Sequence, residues 1–148
     1  MERSQRADFA FVHELRVRWS EVDPQGVVFN PNYLVYADIA MGEYMRALGH
    51  AFTLEPSSGT DIFAVHAELN FYDSAKYDDQ LVIGARCTYV GRTSYRVLFA
   101  IFRDGELLTE VRNAYVHASL RERKPLPLPD ALVASIDAHE RIPPQRKT

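Results

Sequence analysis

Apolar and polar residues alternate from His13 to Ser20, with Leu15, Val17 and Trp19 on one face and Glu14, Arg16 and Arg18 on the other. That period predicts a half-buried strand. A loop from Glu21 to Phe29 follows, carrying one proline and one glycine. Asn30-Pro31 then reads as a helix start, with a side-chain acceptor at the cap and proline at the first helical position, where its missing N–H does no harm. Leu34, Ala37, Met41, Met45 and Leu48 recur at helical spacing, and Gly49 supplies a stop. The opposite face is only sparsely polar (Asp38, Gly42, Arg46), and Val35, Ile39 and Ala40 fill much of the rest. A helix this apolar is expected to be wrapped by other structure over much of its girth.

Beyond a loop-like stretch from Pro56 to Asp61 the period becomes two. Val65, Ala67, Leu69 and Phe71 form one run, and Leu81, Ile83, Ala85, Cys87 and Tyr89 the next. Tyr95, Val97, Phe99 and Ile101 make a third. Asp104-Gly105 signals a hairpin into a last run from Leu107 to Leu120. Short connections favour antiparallel pairing. The expected fold is α+β: a curved five-stranded antiparallel sheet wrapped around one long central helix. It forms a single domain over 1–148, with its core at about 13–120. Residues 121–148 form a proline-rich tail, with a short helix expected from Asp130 to His139 and loose final residues. The outer sheet face still carries Tyr72, Val82, Val90, Leu98 and Phe102. Something must cover part of it, and a second subunit is the economical expectation.

Composition adds exclusions. Apolar residues make up 47% and charged residues 25% of the chain, a globular balance. A net charge of −3 with no basic block argues against a nucleic-acid surface. The single cysteine, Cys87, cannot form an internal disulfide, is in phase with apolar neighbours, and reads as a core residue. No Cys/His cluster has metal spacing, so no metal is expected. The N-terminus is charged and holds too short an apolar stretch for a signal or a span. The expectation is a cytoplasmic protein without a transmembrane segment.

The segment Asp23-Pro24-Gln25-Gly26-Val27-Val28-Phe29-Asn30-Pro31-Asn32-Tyr33 resembles the signature loop of the 4-hydroxybenzoyl-CoA thioesterase family, and of the related small acyl-CoA thioesterases associated with the Tol–Pal envelope system. Phe71 to Asp79 is similar to the family's strand end and turn, and Gly91-Arg92-Thr93-Ser94-Tyr95 to its next hairpin. Together these cover about residues 15 to 129 in order. The resemblance implies the hot-dog fold and hydrolysis of an acyl- or aroyl-CoA to the free acid and CoA. Coenzyme A is then part of the substrate, and no separate cofactor is needed. It also implies a homodimer at least, assembled into a homotetramer.

Thioester hydrolysis needs a nucleophile or base, and a stabiliser for the oxyanion. Asp23 supplies a carboxylate, and the helix start supplies free N–H groups at a positive dipole end. The resemblance assigns Asp23 to attack on the thioester carbon or to activation of water, and it assigns the backbone N–H of Asn30 to the carbonyl. Pro31 has no N–H. If the Asn30 side chain caps Asn32 or Tyr33, its own N–H is the best donor left. The family members carry His or Tyr where this chain has Asn30, so no titrating side chain acts there. Gly26, which lets the backbone approach closely, and Val28 and Tyr33 complete the expected substrate contacts.

Arg92, Thr93 and Ser94 in the hairpin are candidate clamps for CoA phosphates by the same resemblance, and otherwise ordinary turn residues. His13, His66, His117 and the exposed-face Glu68 read more simply as surface or satisfied side chains, and Tyr33, Tyr36 and Tyr44 as packing. Two rival readings remain: a non-catalytic acyl- or CoA-binding module, and a thioester dehydratase or hydratase. The second is weakened because that chemistry calls for a His near the helix.

Overall fold

The alternating runs become strands β1 (Phe11–Arg16), β2 (Thr60–Phe71), β3 (Gln80–Val90), β4 (Ser94–Arg103) and β5 (Glu106–Ser119), with helix α1 (Asn32–Ala47) between the first two. The computed structural model describes residues 2–147. All pairings among these five strands are antiparallel, in the order β1-β3-β4-β5-β2. The tail adds α2 (Asp130–His139) and a two-residue strand, β6 (Gln145–Arg146), parallel to the end of β3. This is the hot-dog arrangement, a sheet wrapped around one helix. No helix among the described residues is long and apolar enough to cross a membrane.

The core follows from the two periods. Tyr36, Ala37, Ala40, Met41 and Tyr44 of α1 are essentially sealed from solvent. They pack with Leu81, Ile83, Ala85 and Cys87 of β3, Val97, Phe99 and Ile101 of β4, and Val111 of β5. Each large apolar side chain so buried contributes roughly 1.5–3 kcal/mol. Leu128, Leu132 and Ile136 join the same cluster from the tail. Gly49, at φ +85°, ends α1 as expected, and the His50 N–H returns to the Met45 carbonyl at 2.8 Å.

Several expectations need correction. The first strand stops at Arg16, the chain makes a 3-10 turn over Trp19–Glu21, and Trp19 is 74% exposed rather than inward. Asn30 does not cap α1. The helix enters through i→i+3 bonds, Asn32 N–H to the Phe29 carbonyl at 2.9 Å and Tyr33 N–H to that of Asn30 at 3.3 Å. The buried stripe therefore runs through the tyrosines at 33, 36 and 44, and Leu34 is partly exposed. In β3 a register shift between Cys87 and Tyr89 reverses the alternation, so Val90 is buried and Tyr89 is not.

Part of the outer face is covered from within the chain. Phe9, fully buried, lies over Leu98, Ala100 and Phe102, with Val12, Val82 and Leu107 around them. The tail is also held, by the pairing of β6 with β3.

Candidate active site

Residues 23–28 form a tight loop that the sequence fixes locally. The Asp23 N–H donates to the Val27 carbonyl at 2.9 Å, and the Gly26 N–H returns to the Asp23 carbonyl at the same distance. Gly26 sits at φ +79°, which a side chain would strain. The Asp23 carboxylate turns back on its own backbone, with Oδ1 accepting the Gln25 N–H at 2.8 Å. No described residue hydrogen-bonds the other oxygen, Oδ2.

The loop is pinned at both ends. Val22 bridges Val28, the Val28 N–H donates to the Ala75 carbonyl at 2.9 Å, and the Phe29 N–H donates to the Glu21 carbonyl at 2.9 Å. Glu21 is the anchor beneath it. It is buried, accepts the Arg18 N–H at 2.7 Å, pairs with the Arg18 guanidinium at 2.8 Å, and accepts the Tyr36 hydroxyl at 3.1 Å. Burial pushes its carboxyl upward, but the bonds from Arg18 and Tyr36 outweigh that and hold it below the ordinary range. Burial first, and then the neighbouring Glu21 charge, push the Tyr36 phenol well upward. Asn32 adds a bond from Nδ2 to the Glu21 carbonyl at 3.0 Å.

The facing wall is the segment after β2. The Tyr33 hydroxyl accepts the Ala75 N–H at 2.9 Å, tying α1 to this wall, and burial raises its pKa. Arg103 holds the same segment through the Ser74 carbonyl at 3.0 Å and Asp79 at 2.8 Å. Between the walls lies a cleft of about 430 Å³ lined by Asp23, Val27, Val28, Asn30, Tyr33 and the stretch from Phe71 to Ser74.

Asp23, Asn30, Val28 and Tyr33 thus meet in one cleft, and Gly26 shapes the loop beside it. Within it, the Asn30 N–H donates to no described residue. The expectation of a free donor there had relied on a capping side chain; the i→i+3 entry of α1 leaves it free instead. The Val27 N–H likewise has no partner among the described residues, and Val27 lines the cleft, a candidate donor outside the sequence expectation. Asp73, a second carboxylate in the cleft, was also missed. Its Oδ1 accepts the Ser74 N–H at 2.7 Å and its Oδ2 lies 3.7 Å from Arg103. Only the local run Asp73-Ser74 could have flagged it.

Arg92, Thr93 and Ser94 are not in this cleft. They lie at the other end of the sheet, where the Thr93 carbonyl accepts the His117 N–H and the Arg92 carbonyl accepts the Leu128 N–H, each at 2.9 Å. Arg92 lines a separate depression of about 540 Å³ with Asp130, Arg146 and Lys147. His117 is satisfied on both ring nitrogens, by the Pro127 carbonyl and by Thr60 Oγ1 at 2.9 Å each. His66 and Glu68 are exposed on β2.

Residues 25–110 match the thioesterase superfamily, more than half of the chain. The match begins two residues after Asp23 and includes Asn30, all of α1 and β2 to β4. The protein belongs to this superfamily and is a thioester hydrolase. Solved structures share its fold. A Pseudomonas aeruginosa protein is 20% identical and superposes with a TM-score of 0.84, over 94% of this chain and 97% of that one. A 1,4-dihydroxy-2-naphthoyl-CoA thioesterase from Synechocystis is 24% identical at a TM-score of 0.79, over 85% and 94%. A DHNA-CoA thioesterase from Staphylococcus aureus is 22% identical at 0.75, over 79% of each chain.

Proposed function

We propose that the protein hydrolyses an acyl- or aroyl-CoA in the Asp23 cleft, releasing the free acid and CoA. The observation that carries this is that one cleft is lined by Asp23 and Asn30, where one Asp23 carboxylate oxygen and the Asn30 N–H have no partner among the described residues. In this reading Asp23 attacks the thioester carbon or takes the proton of an attacking water, and the Asn30 N–H stabilises the oxyanion. The Val27 N–H, also without a partner among the described residues, is the second candidate donor in this reading. No step calls for a metal or separate cofactor. Coenzyme A as the carrier is supported by the names of the similar thioesterases from Synechocystis and Staphylococcus aureus. The resemblance of the signature loop supports the 4-hydroxybenzoyl-CoA and Tol–Pal-associated branch as the reading, and we take the cytoplasm as its place of action.

A dimer completes the proposal, with a tetramer as the further assembly. Strand β2 is an unpaired edge of 12 residues on which 64–68 are all exposed. Such an edge invites pairing with another strand. Two β2 strands related by a two-fold axis would set one protomer's Thr60 end beside the other's Phe71 end. The partner's Arg92 hairpin would then share an end of the joined sheet with this protomer's cleft. Arg92, Arg146 and Lys147, even with Asp130 beside them and Asp137 paired to Arg146, leave a positive lining that suits the phosphates of CoA.

The test is thiol release from a panel of short-chain, long-chain and aromatic CoA thioesters. Turnover of at least one class supports the proposal. Binding without release across the panel would mean that the cleft only binds.

A further inference from the structure

The N-terminal strap crosses the outer sheet face and ends on a buried carboxylate that the proposed chemistry does not use. Glu110 of β5 is 1% exposed, although it points away from α1. It accepts the Ser4 N–H at 3.2 Å and the Ser4 hydroxyl at 2.5 Å. The Tyr72 hydroxyl donates to its other oxygen at 2.6 Å, and Arg112 pairs with it at 3.5 Å. These bonds, with the Arg112 charge, overcome burial and hold the Glu110 carboxyl below its usual range. Arg3 lies over the Tyr72 ring at 4.0 Å, clamping it from the strap side.

Tyr72 belongs to the Phe71–Ser74 stretch that forms one wall of the Asp23 cleft. Its backbone is held too, with the N–H donating to the Leu108 carbonyl at 2.8 Å and that of Asp73 to the same oxygen at 3.1 Å. The strap is itself seated by Phe9, whose ring lies on Gly84, and by Arg141, which bonds the Ala7 carbonyl at 3.2 Å. A chain of contacts therefore runs from the strap through Glu110 to the cleft wall.

We infer that Glu110 is a positioning residue for substrate binding, acting through Tyr72 to fix the 71–74 wall with residues Arg3 and Ser4 of the strap. The inference rests on the Asp23 cleft being the substrate site. A neutral amide at 110 or a missing hydroxyl at 72 loosens the wall without touching Asp23 or the Asn30 N–H. The cost falls on substrate binding rather than on the chemical step.

The experiment is steady-state hydrolysis of the best CoA thioester by full-length wild type, Tyr72→Phe, Glu110→Gln, the double variant and Ser4→Ala, each well below its unfolding temperature. Tyr72→Phe and Glu110→Gln are each expected to raise KM by roughly tenfold, with kcat changed by less than about twofold. The double variant is expected to be no worse than the larger single, because Tyr72→Phe removes, and Glu110→Gln weakens by loss of charge, the same Tyr72–Glu110 bond. Ser4→Ala is expected to raise KM less, and Ser4→Thr to restore it. Unchanged KM in both Tyr72→Phe and Glu110→Gln overturns the inference, whatever happens to thermal stability; so do additive effects in the double variant. Asp23→Asn run alongside separates the two ideas. Its loss of kcat with unchanged KM in the Tyr72 and Glu110 variants rejects only the positioning role. Its full retention of kcat rejects the cleft reading itself.

Discussion

Gly84 lies within β3 on the face away from α1, and it is glycine because Phe9 occupies the place of a side chain. A methyl group built there would stand 2.5 Å from Cγ of Phe9 and 2.8 Å from both Cδ atoms. Phe9 is fully buried and meets Phe102 edge-on at 6.2 Å, so the ring has no free direction in which to yield. Overpacking of this kind costs about 1–3 kcal/mol, and expulsion of the ring would forfeit a burial term of similar size, ~1.5–3 kcal/mol. Gly84→Ala is therefore expected to destabilise by about 2–3 kcal/mol, a drop of roughly 4–12 °C in Tm for a chain of this length. The assay is thermal and urea unfolding at fixed protein concentration, with Phe9→Ala and the double variant alongside. With the ring gone the added methyl fits, and its cost should fall below ~1 kcal/mol. A Gly84→Ala protein within ~0.5 kcal/mol of wild type, or an equal penalty in both backgrounds, would refute the reasoning.

Other outcomes follow from the same contacts. The folded-state pKa of Glu21 is depressed, so its stabilisation is present above the ordinary carboxylate range and is lost as pH falls through the folded value. Tyr36→Phe removes one of the bonds that depress it, so acid unfolding should begin at a higher pH; an unmoved acid midpoint contradicts this. Burial pushes the Cys87 thiol up to about 12, and a disulfide reagent at pH 8 should label it only after denaturant is added. Rapid labelling of the native protein would contradict its place in the core. Light scattering at micromolar concentration should show at least a dimer, and Val65→Lys on the exposed β2 edge should shift it toward monomer. A wild-type monomer would remove the paired-edge proposal.

The helical spacing of α1 and the alternation of β3 up to Cys87 survive in the fold, whereas the expected inward run of β2 does not: Val65, Ala67 and Phe71 are exposed at the sheet edge, and of that run only Leu69 packs on the core. The α2 range was legible from Pro129 and the spacing after it, and the end of α1 from Gly49. What could not be read were features that depend on contacts distant along the chain. The reversal at Thr88 needs the β4 partner, and Trp19 turns outward because the strand gives way to a 3-10 turn stabilised by Glu21. Phe9 stands in a short apolar run near the N-terminus with no periodic signal around it, and only the fold shows that it covers Leu98, Ala100 and Phe102 on the outer face. In the site, Asp23 and Asn30 were legible as a local motif. Asp73 was not, since only the return of the chain past β2 brings it to the same cleft. Arg92 to Ser94 were legible as a turn but not as a part of this cleft, from which the length of the sheet separates them.

The central claim is that Asp23, rather than the other carboxylate beside it, carries the hydrolysis. The two differ in engagement: Asp73 is tied to Ser74 and close to Arg103, whereas one oxygen of Asp23 is unengaged. Thiol release should therefore be measured for Asp23→Asn and Asp73→Asn on the same CoA thioester. Asp23→Asn is expected to lose at least ~100-fold in kcat, and Asp73→Asn to stay within about threefold of wild type. Undiminished turnover in Asp23→Asn, or an equal collapse in Asp73→Asn, would contradict that claim.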